Sequence, residues 1–493
     1  MCAFFMELNQ IYRTSLSLLT DLYQLTMAYG YWKNEMKDKK GVFHLFFRKN
    51  PFKGGYTIAC GLEQALQYIQ GFEFTDDDLR YLSTLKDSAD QPMFEQAFLN
   101  ELANMKWEFD AWAVKEGTPV FPFQPIMRVE GPLLQTQILE TPLLNIINYQ
   151  TLLATKASRI YEATKGMPIM EFGLRRAQGI DGGLSASRAA HIGGCSSTSN
   201  LLAGKLLEIP VSGTHAHSWV MCFDSEIESF KAYASAMPGN CILLVDTYDV
   251  FQGVRNAIEV GMELKKNGKK LLAIRLDSGD LAYQSQKARK MLDAAGLEET
   301  KIVASNDLDE HLVQSLKEQQ AKIDLWGIGT KLITAYDQPA LGGVYKLSAI
   351  EKDNGELEDT IKLSEQSIKV NIPGQQQVRR YKKDGQFVAD MIYRDGTELE
   401  EMVEIVSMTD PHQKKLVLQK ETQYEDLLKK VIDKGKVIYD SPGVQEIRSF
   451  SLEQIKDLHP GVRRFTNPHA YPAGLEVALY RDREQQIDRL KKL

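Results

Sequence analysis

Between about residues 168 and 330 the chain repeats one pattern, and that repetition limits the possible folds more than any other feature. Short apolar runs close on Gly, Ser, Asp or Thr: PIMEFGLRR (168 to 176), IPVSGTHAHS (209 to 218), CILLVDTYD (241 to 249), KLLAIRLDSGD (270 to 280), KIVASND (301 to 307) and IDLWGIGT (323 to 330). Most are separated by segments whose apolar residues recur at helical spacing and which end on Gly, such as VRNAIEVGMELKKNG (254 to 268) and AYQSQKARKMLDAAG (282 to 296). Strand then helix, repeated, means parallel βα units. A repeat of roughly 25 to 35 residues fits both a β/α barrel and an open doubly wound sheet. Two features favour the barrel. Almost every run ends in polar chemistry, as barrel enzymes require, and no G-x-G-x-x-G follows a first strand. GGCSSTSN (193 to 200) covers a weak additional strand, so the barrel is expected to be irregular.

The flanking regions have a different texture. LLTDLYQLTMAYGYWK (18 to 33) reads as an amphipathic helix capped at Thr20 or Asp21, and GVFHLFFRKNPFKGGY (41 to 56) as a strand turning at Gly54-Gly55. TPLLNIINYQTLLATKASRIYEAT (141 to 164) is a long apolar helix. VRRYKKDGQFVADMIYRDG (378 to 396) has strand-like runs around Asp-Gly turns, a hairpin signature. The expected fold is therefore α/β. A mixed α/β domain over 1–150 precedes an irregular β/α barrel core over 151–345, and a β-rich appendage with terminal helices occupies 346–493.

Composition excludes several classes of function. With 43% hydrophobic residues the chain can bury a large core, yet it has no run of about 18 apolar residues for a membrane span. MCAFFMELNQIYRTSL lacks a basic leader and a small-residue cleavage site, so no secretory signal and a cytoplasmic location are expected. Cys2, Cys60, Cys195, Cys222 and Cys241 are scattered without a C-x-x-C pair, which implies reduced thiols and no zinc site. A formal charge of −7 argues against general nucleic-acid or membrane binding, and leaves room for a local basic pocket.

Each strand end has a functional reading and a plainer one. In GIGT (327 to 330), small residues can expose backbone N–H groups to a phosphate, or simply form a tight turn. In RLDSGD (275 to 280), an arginine fork stands two residues from a carboxylate, suited to a planar anion, or to an ion pair. Arg175 and Arg176 precede a small-residue helix, and SND (305 to 307) is short enough to be only a turn. His215 and His217 in SGTHAHS allow three readings: structural residues, a metal pair on one strand face, or an imidazole acting as acid, base or phosphoryl acceptor. The residues alone leave these open.

Eight ordered stretches resemble the nicotinate phosphoribosyltransferase family: LTDLYQLTMAYGYW (19 to 32), FFRKNPF (46 to 52), EFGLRRAQGIDGGLSASRAA (171 to 190), SGT-x-AHS (212 to 218), VDTYD (245 to 249), RLDSGDL (275 to 281), GIGTKL (327 to 332) and NPHAYP (467 to 472). The resemblance implies that nicotinate and 5-phosphoribosyl 1-diphosphate become nicotinate mononucleotide and diphosphate, with coupled ATP hydrolysis and Mg2+, in NAD salvage. It places the family's phosphorylated histidine on His217 and leaves His215 at a variable position. It assigns Tyr23, Thr214 and Arg275 to nicotinate, and Gly329 and Thr330 to the sugar phosphate. Arg175, Asp277, Ser305 and Asn306 fall near the ribose and phosphates. It further implies a homodimer in which Tyr23 reaches a neighbouring active site.

The chemistry is coherent with those roles. Displacing diphosphate from an anomeric carbon builds positive charge on the ribose, so holding both reactants in line and stabilising charge suffice. Three other readings are a nicotinamide phosphoribosyltransferase, a barrel aldolase or isomerase, and a non-catalytic binding module. The aldolase or isomerase reading lacks a prominent Lys or Glu base at a strand end.

Overall fold

The computed structural model describes residues 15–366 and 369–492. It divides into two compact units, one spanning Leu153–Pro339, the other formed by the chain up to Leu152 together with the chain from Ala340 onward. The leader reading of the first residues, and Cys2, lie outside the described residues. Among the described residues no helix is long and apolar enough to cross a membrane, and Cys60, Cys195 and Cys241 are buried while Cys222 is exposed.

The central unit carries six strands: β1 (Ile169–Glu171), β2 (Ser197–Thr198), β3 (Cys241–Leu244), β4 (Leu271–Leu276), β5 (Lys301–Ala304) and β6 (Leu325–Ile328). Their order is β2-β1-β6-β5-β4-β3, and every neighbouring pair is parallel. Read as a ring, this is chain order with β6 pairing back to β1, the connectivity of a β/α barrel with one open seam. A single parallel bridge from Thr198 to Val211 extends the β2 side, so the seam lies between the stretch after Val211 and β3. Met170, Ala273 and Val303 meet as a buried cluster, with Phe172, Ile242 and Leu325 packed against it.

Helices follow the strands as the periodicity requires: Val250–Lys266 after β3, Leu281–Ala294 after β4 and Glu310–Glu318 after β5. Each begins on an aspartate whose carboxylate accepts backbone N–H groups of the first turn, namely Asp249, Asp280 and Asp309. These strand-end aspartates start helices, which separates them from the acids left for chemistry. Helix and strand approach closely after β3, because a Cβ on Gly253 would lie 2.1 Å from the Val245 carbonyl oxygen.

Two of the strand-like runs are shorter than their apolar patterns. The first stops at Glu171 and turns through Leu174–Arg176. The turn is tight, since a Cβ on Gly173 would meet Ile333 Cβ at 2.4 Å. IPVSGTHAHS is not a regular strand: it makes one bridge at Val211, and His217 opens a short helix, His217–Met221. The two histidines therefore do not share a strand face, and among the described residues no group of three or more His, Cys, Asp or Glu side chains is placed to hold a metal.

In the other unit the two ends of the chain interleave. A seven-stranded sheet runs in the order Leu357–Asp359, Gly343–Glu351, Lys40–Phe47, Met127–Pro132, Asp110–Ala113, Lys429–Asp433, Lys436–Val437. Lys40–Phe47 pairs antiparallel with Gly343–Glu351, so residues from both flanking regions share one ladder. A six-stranded sheet holds the anticipated hairpin, Gln376–Lys383 with Gln386–Arg394, turning at Asp384 (φ 51°) and Gly385 (φ 77°). Positive φ at both turn residues is what an Asp-Gly turn supplies. The N-terminal helix Leu22–Lys33 starts at Asp21 and buries Leu25 and Ala28 against Phe94, Phe98 and Leu102.

Candidate active site

The C-terminal ends of β3, β4 and β5 bring two acids, an arginine and a serine together. Arg275 is the penultimate residue of β4, with its side chain only 15% exposed. Its Nε donates to Ser305 Oγ at 2.8 Å, Nη1 to Thr214 Oγ1 at 2.9 Å and Nη2 to Asp277 Oδ1 at 2.8 Å. Ser305 Oγ in turn donates to Asp277 Oδ1. A guanidinium has five N–H donors, so two remain after these three bonds. Burial pushes the Asp277 carboxyl up, but Ser305, Arg275 and His217 together outweigh it and hold it below the ordinary carboxylate value.

His217 stands at the start of its short helix, 42% exposed. Its Nδ1 is 3.1 Å from Thr247 Oγ1 and its Nε2 is 3.8 Å from Asp277 Oδ2. His215 has a different setting: buried, with its Nε2 accepting the Leu244 N–H at 3.2 Å. The adjacent imidazoles are therefore divided, one at the open mouth and one in the wall.

His217, Thr214, Arg275, Asp277 and Ser305 thus form one bonded cluster. Gly329 and Thr330 follow β6, Arg175 follows β1 in an exposed turn, and Asn306 follows β5. These four share the rim by topology, and among the described residues no hydrogen bond links them to the Arg275 cluster. Asn306 holds φ 125°, a left-handed conformation that a non-glycine residue adopts at a cost. Gly327 is required by packing, since its Cβ would lie 2.9 Å from the Phe172 ring. Tyr23 belongs to the other unit, on the helix Leu22–Lys33, and is 47% exposed.

Reasoning from strand ends missed three residues. Asp246 is nine-tenths buried; its Oδ2 accepts from the Asp277 N–H and from Ser278 Oγ, both at 2.8 Å, while Oδ1 has no hydrogen-bond partner. Thr247 orients His217. Glu171, fully buried at the end of β1, accepts from the Gly173 N–H, Ser187 Oγ and Thr198 Oγ1, and so ties the Arg175 turn to β2 and the following helix. VDTYD carried the signal for the first two; the hydroxyl partners of Glu171 are 16 and 27 residues away and had none.

Three family profiles match the chain: the nicotinate phosphoribosyltransferase N-terminal domain over residues 18–148, the nicotinate phosphoribosyltransferase family over 167–384 and its C-terminal domain over 375–483. A nicotinate phosphoribosyltransferase of Bacillus subtilis is 43% identical over 488 residues, spanning 97% of this chain and 96% of that protein. The crystal structure of human nicotinic acid phosphoribosyltransferase superposes with a TM-score of 0.82 at 31% identity, covering 94% of this chain and 99% of that one. A nicotinate-nucleotide pyrophosphorylase from Pyrococcus furiosus shares the fold, with a TM-score of 0.67 at 22% identity over 90% of this chain and 95% of that one.

Proposed function

The chain belongs to the nicotinate phosphoribosyltransferase family, and on that premise we propose that it joins nicotinate to 5-phosphoribosyl 1-diphosphate, releasing nicotinate mononucleotide and diphosphate. The observation that carries this reading is Arg275. Three of its donors are spent on Thr214, Asp277 and Ser305, which fixes the fork, and the two that remain are what one carboxylate accepts. A substrate acid bound there has its ring nitrogen presented to the anomeric carbon. The N–C bond forms as the C–O bond to diphosphate breaks, and the leaving group keeps the electron pair. Gly329, Thr330 and Arg175 on the rim serve the phosphates, and Asp277, Ser305 and Asn306 the ribose side. Asp246, whose buried Oδ1 has no hydrogen-bond partner, is the residue that would help hold a magnesium ion, and the ion would supply charge neutralisation for the phosphates.

His217 is the phosphoryl acceptor in this reading. It is exposed at the mouth, oriented by Thr247 and backed by Asp277. A ring nitrogen forms a bond to the γ-phosphorus of ATP as the bond to the bridging oxygen breaks and ADP leaves. Water later takes the phosphoryl group as inorganic phosphate and restores the neutral imidazole. The phosphate's charge alters the affinity of the mouth for the diphosphate-bearing substrate. A homodimer is supported by an apolar, exposed face around Tyr23: Leu19 is 47% exposed, Leu22 50% and Met27 39%. Tyr23 then completes the site of a neighbouring subunit in the cytoplasm.

The test is direct. Purified protein is incubated with phosphoribosyl diphosphate, Mg2+ and either nicotinate or nicotinamide, with and without ATP, and diphosphate and mononucleotide are followed. Product from nicotinate, raised by ATP and no longer raised in His217→Ala, is expected. Product from nicotinamide alone, or none, would overturn the assignment.

A further inference from the structure

The barrel ladder is interrupted at one place, and a side chain stands in the gap. Among the described residues no backbone hydrogen bond joins the segment 209–216 to β3, although Val211 bridges to β2 on one side and β4 pairs with β3 on the other. An unpaired parallel edge leaves backbone donors that are costly to bury without a partner. The Leu244 N–H has a partner nonetheless: it donates to His215 Nε2.

An Nε2 that accepts carries no proton, so the ring holds its hydrogen on Nδ1, which faces the Ala216 carbonyl at 3.4 Å. The ring lies edge-on to Tyr233, centroids 4.8 Å apart, with Phe230 at 6.2 Å. Burial holds this imidazole below the ordinary histidine range; the Ala216 carbonyl opposes the shift, and the charges of Arg275 and His217 reinforce it. An aliphatic side chain could fill the same space, but it would leave the Leu244 N–H without an acceptor.

The clip joins two segments that carry chemistry. Thr214, one residue before it, accepts from Arg275, and His217 lies two residues after it. Across the seam, Leu244 leads through Val245 into Asp246 and Thr247. We infer that His215 is a positioning residue: as a neutral imidazole it replaces a missing strand at the barrel seam and sets the register in which His217 meets Thr247 and Asp277. The consequence for catalysis rests on His217 being the phosphoryl acceptor, whereas the clip itself does not.

The experiment compares His215→Leu and His215→Gln with the unaltered protein, with circular dichroism as the check on folding. Glutamine keeps an acceptor oxygen within reach of Leu244, and leucine does not. Two quantities are read: the initial rate of radiolabel transfer from γ-labelled ATP to His217, and hydrogen exchange of the peptide that contains Leu244. The leucine variant is expected to lose roughly tenfold or more in transfer rate and to exchange faster at Leu244, and the glutamine variant to stay within about threefold. Transfer by His215→Leu at the unaltered rate, or a Gln variant that protects Leu244 yet does not restore transfer, overturns the inference. If the unaltered protein takes no phosphate, the phosphohistidine reading falls, and the clip is decided by the nitrogen-15 spectrum of His215 in that protein. An unprotonated Nε2 with a slowly exchanging Leu244 amide upholds it, and an Nε2–H tautomer overturns it. The same two measurements decide the matter if neither variant folds.

Discussion

At Arg275 a planar fork is held by three neutral or anionic neighbours before any ligand arrives. Lysine would keep the charge and lose the fork. Arg275→Lys is therefore expected to lower kcat/KM for nicotinate by roughly 10- to 100-fold, mainly through KM, because a charge-assisted hydrogen bond contributes about 1.5 to 3 kcal/mol. Steady-state kinetics with nicotinate varied checks it, and an unchanged KM would remove Arg275 from the acid's site. Asp246 makes a second test. In Asp246→Asn the oxygen that anchors Asp277 can stay, but an amide nitrogen replaces the orphaned acceptor. The expected result is a loss of about tenfold or more in kcat/KM for phosphoribosyl diphosphate, eased by raising Mg2+, with little change in the far-ultraviolet dichroism. Arg275, Asp277, Thr214, Ser305 and His217 could be singled out because each lies at or near the end of an apolar run, but their roles came from the family resemblance and not from the residues alone. Asp246 was passed over because it shares VDTYD with a helix-capping aspartate, and only the fold separates the two roles.

Among the elements, the helix Val250–Lys266 and strand β3 show how packing passes to the site. Gly253 sits against the Val245 backbone with no room for a methyl group, and Asp246 and Thr247 come next in the chain. Gly253→Ala must push the helix away or shift this turn, at a cost of about 1 to 3 kcal/mol. We expect a lower thermal midpoint together with a lower rate of His217 labelling; loss of stability with full labelling would show that the turn moves independently of the helix. Helix and hairpin existence was legible from periodicity and from Asp-Gly, since both are local properties. The lengths of β1 and of the SGTHAHS segment were not. Their apolar patterns run on past the point where Gly173 packs on Ile333, or where one bridge at Val211 ends the pairing.

For the molecule as a whole, the two ends of the chain build one unit. Truncation after residue 345 would take most of Gly343–Glu351 from its pairing with Lys40–Phe47 and bare a largely buried apolar strand. The fragment 1–345 is expected to aggregate, as size-exclusion chromatography would show; a monodisperse fragment with native dichroism would contradict the shared sheet. The same unit predicts a pH response. Buried His44 accepts the Gln376 N–H and contacts Ser348 Oγ; burial, with Arg128 adding, holds its pKa well below 6.5. The unfolded chain therefore binds a proton that the folded one refuses, and this contribution to stability is complete above about pH 6.5 and is lost as pH falls below it. His215 acts in the same sense. Urea unfolding from pH 7 to 5 should show a shallower loss in His44→Gln than in the unaltered protein, and parallel curves would discount His44. What the sequence determined by itself was the alternation of strands and helices, the polar residues at strand ends and the family they resemble, because spacing and residue type are local properties. The tertiary structure alone decided that residues 40–47 and 343–351 pair, that one barrel seam stays open, and that of two histidines flanking a single alanine, one faces the mouth and the other closes the wall. Those outcomes depend on which distant backbone donors lack partners, and no local pattern records that.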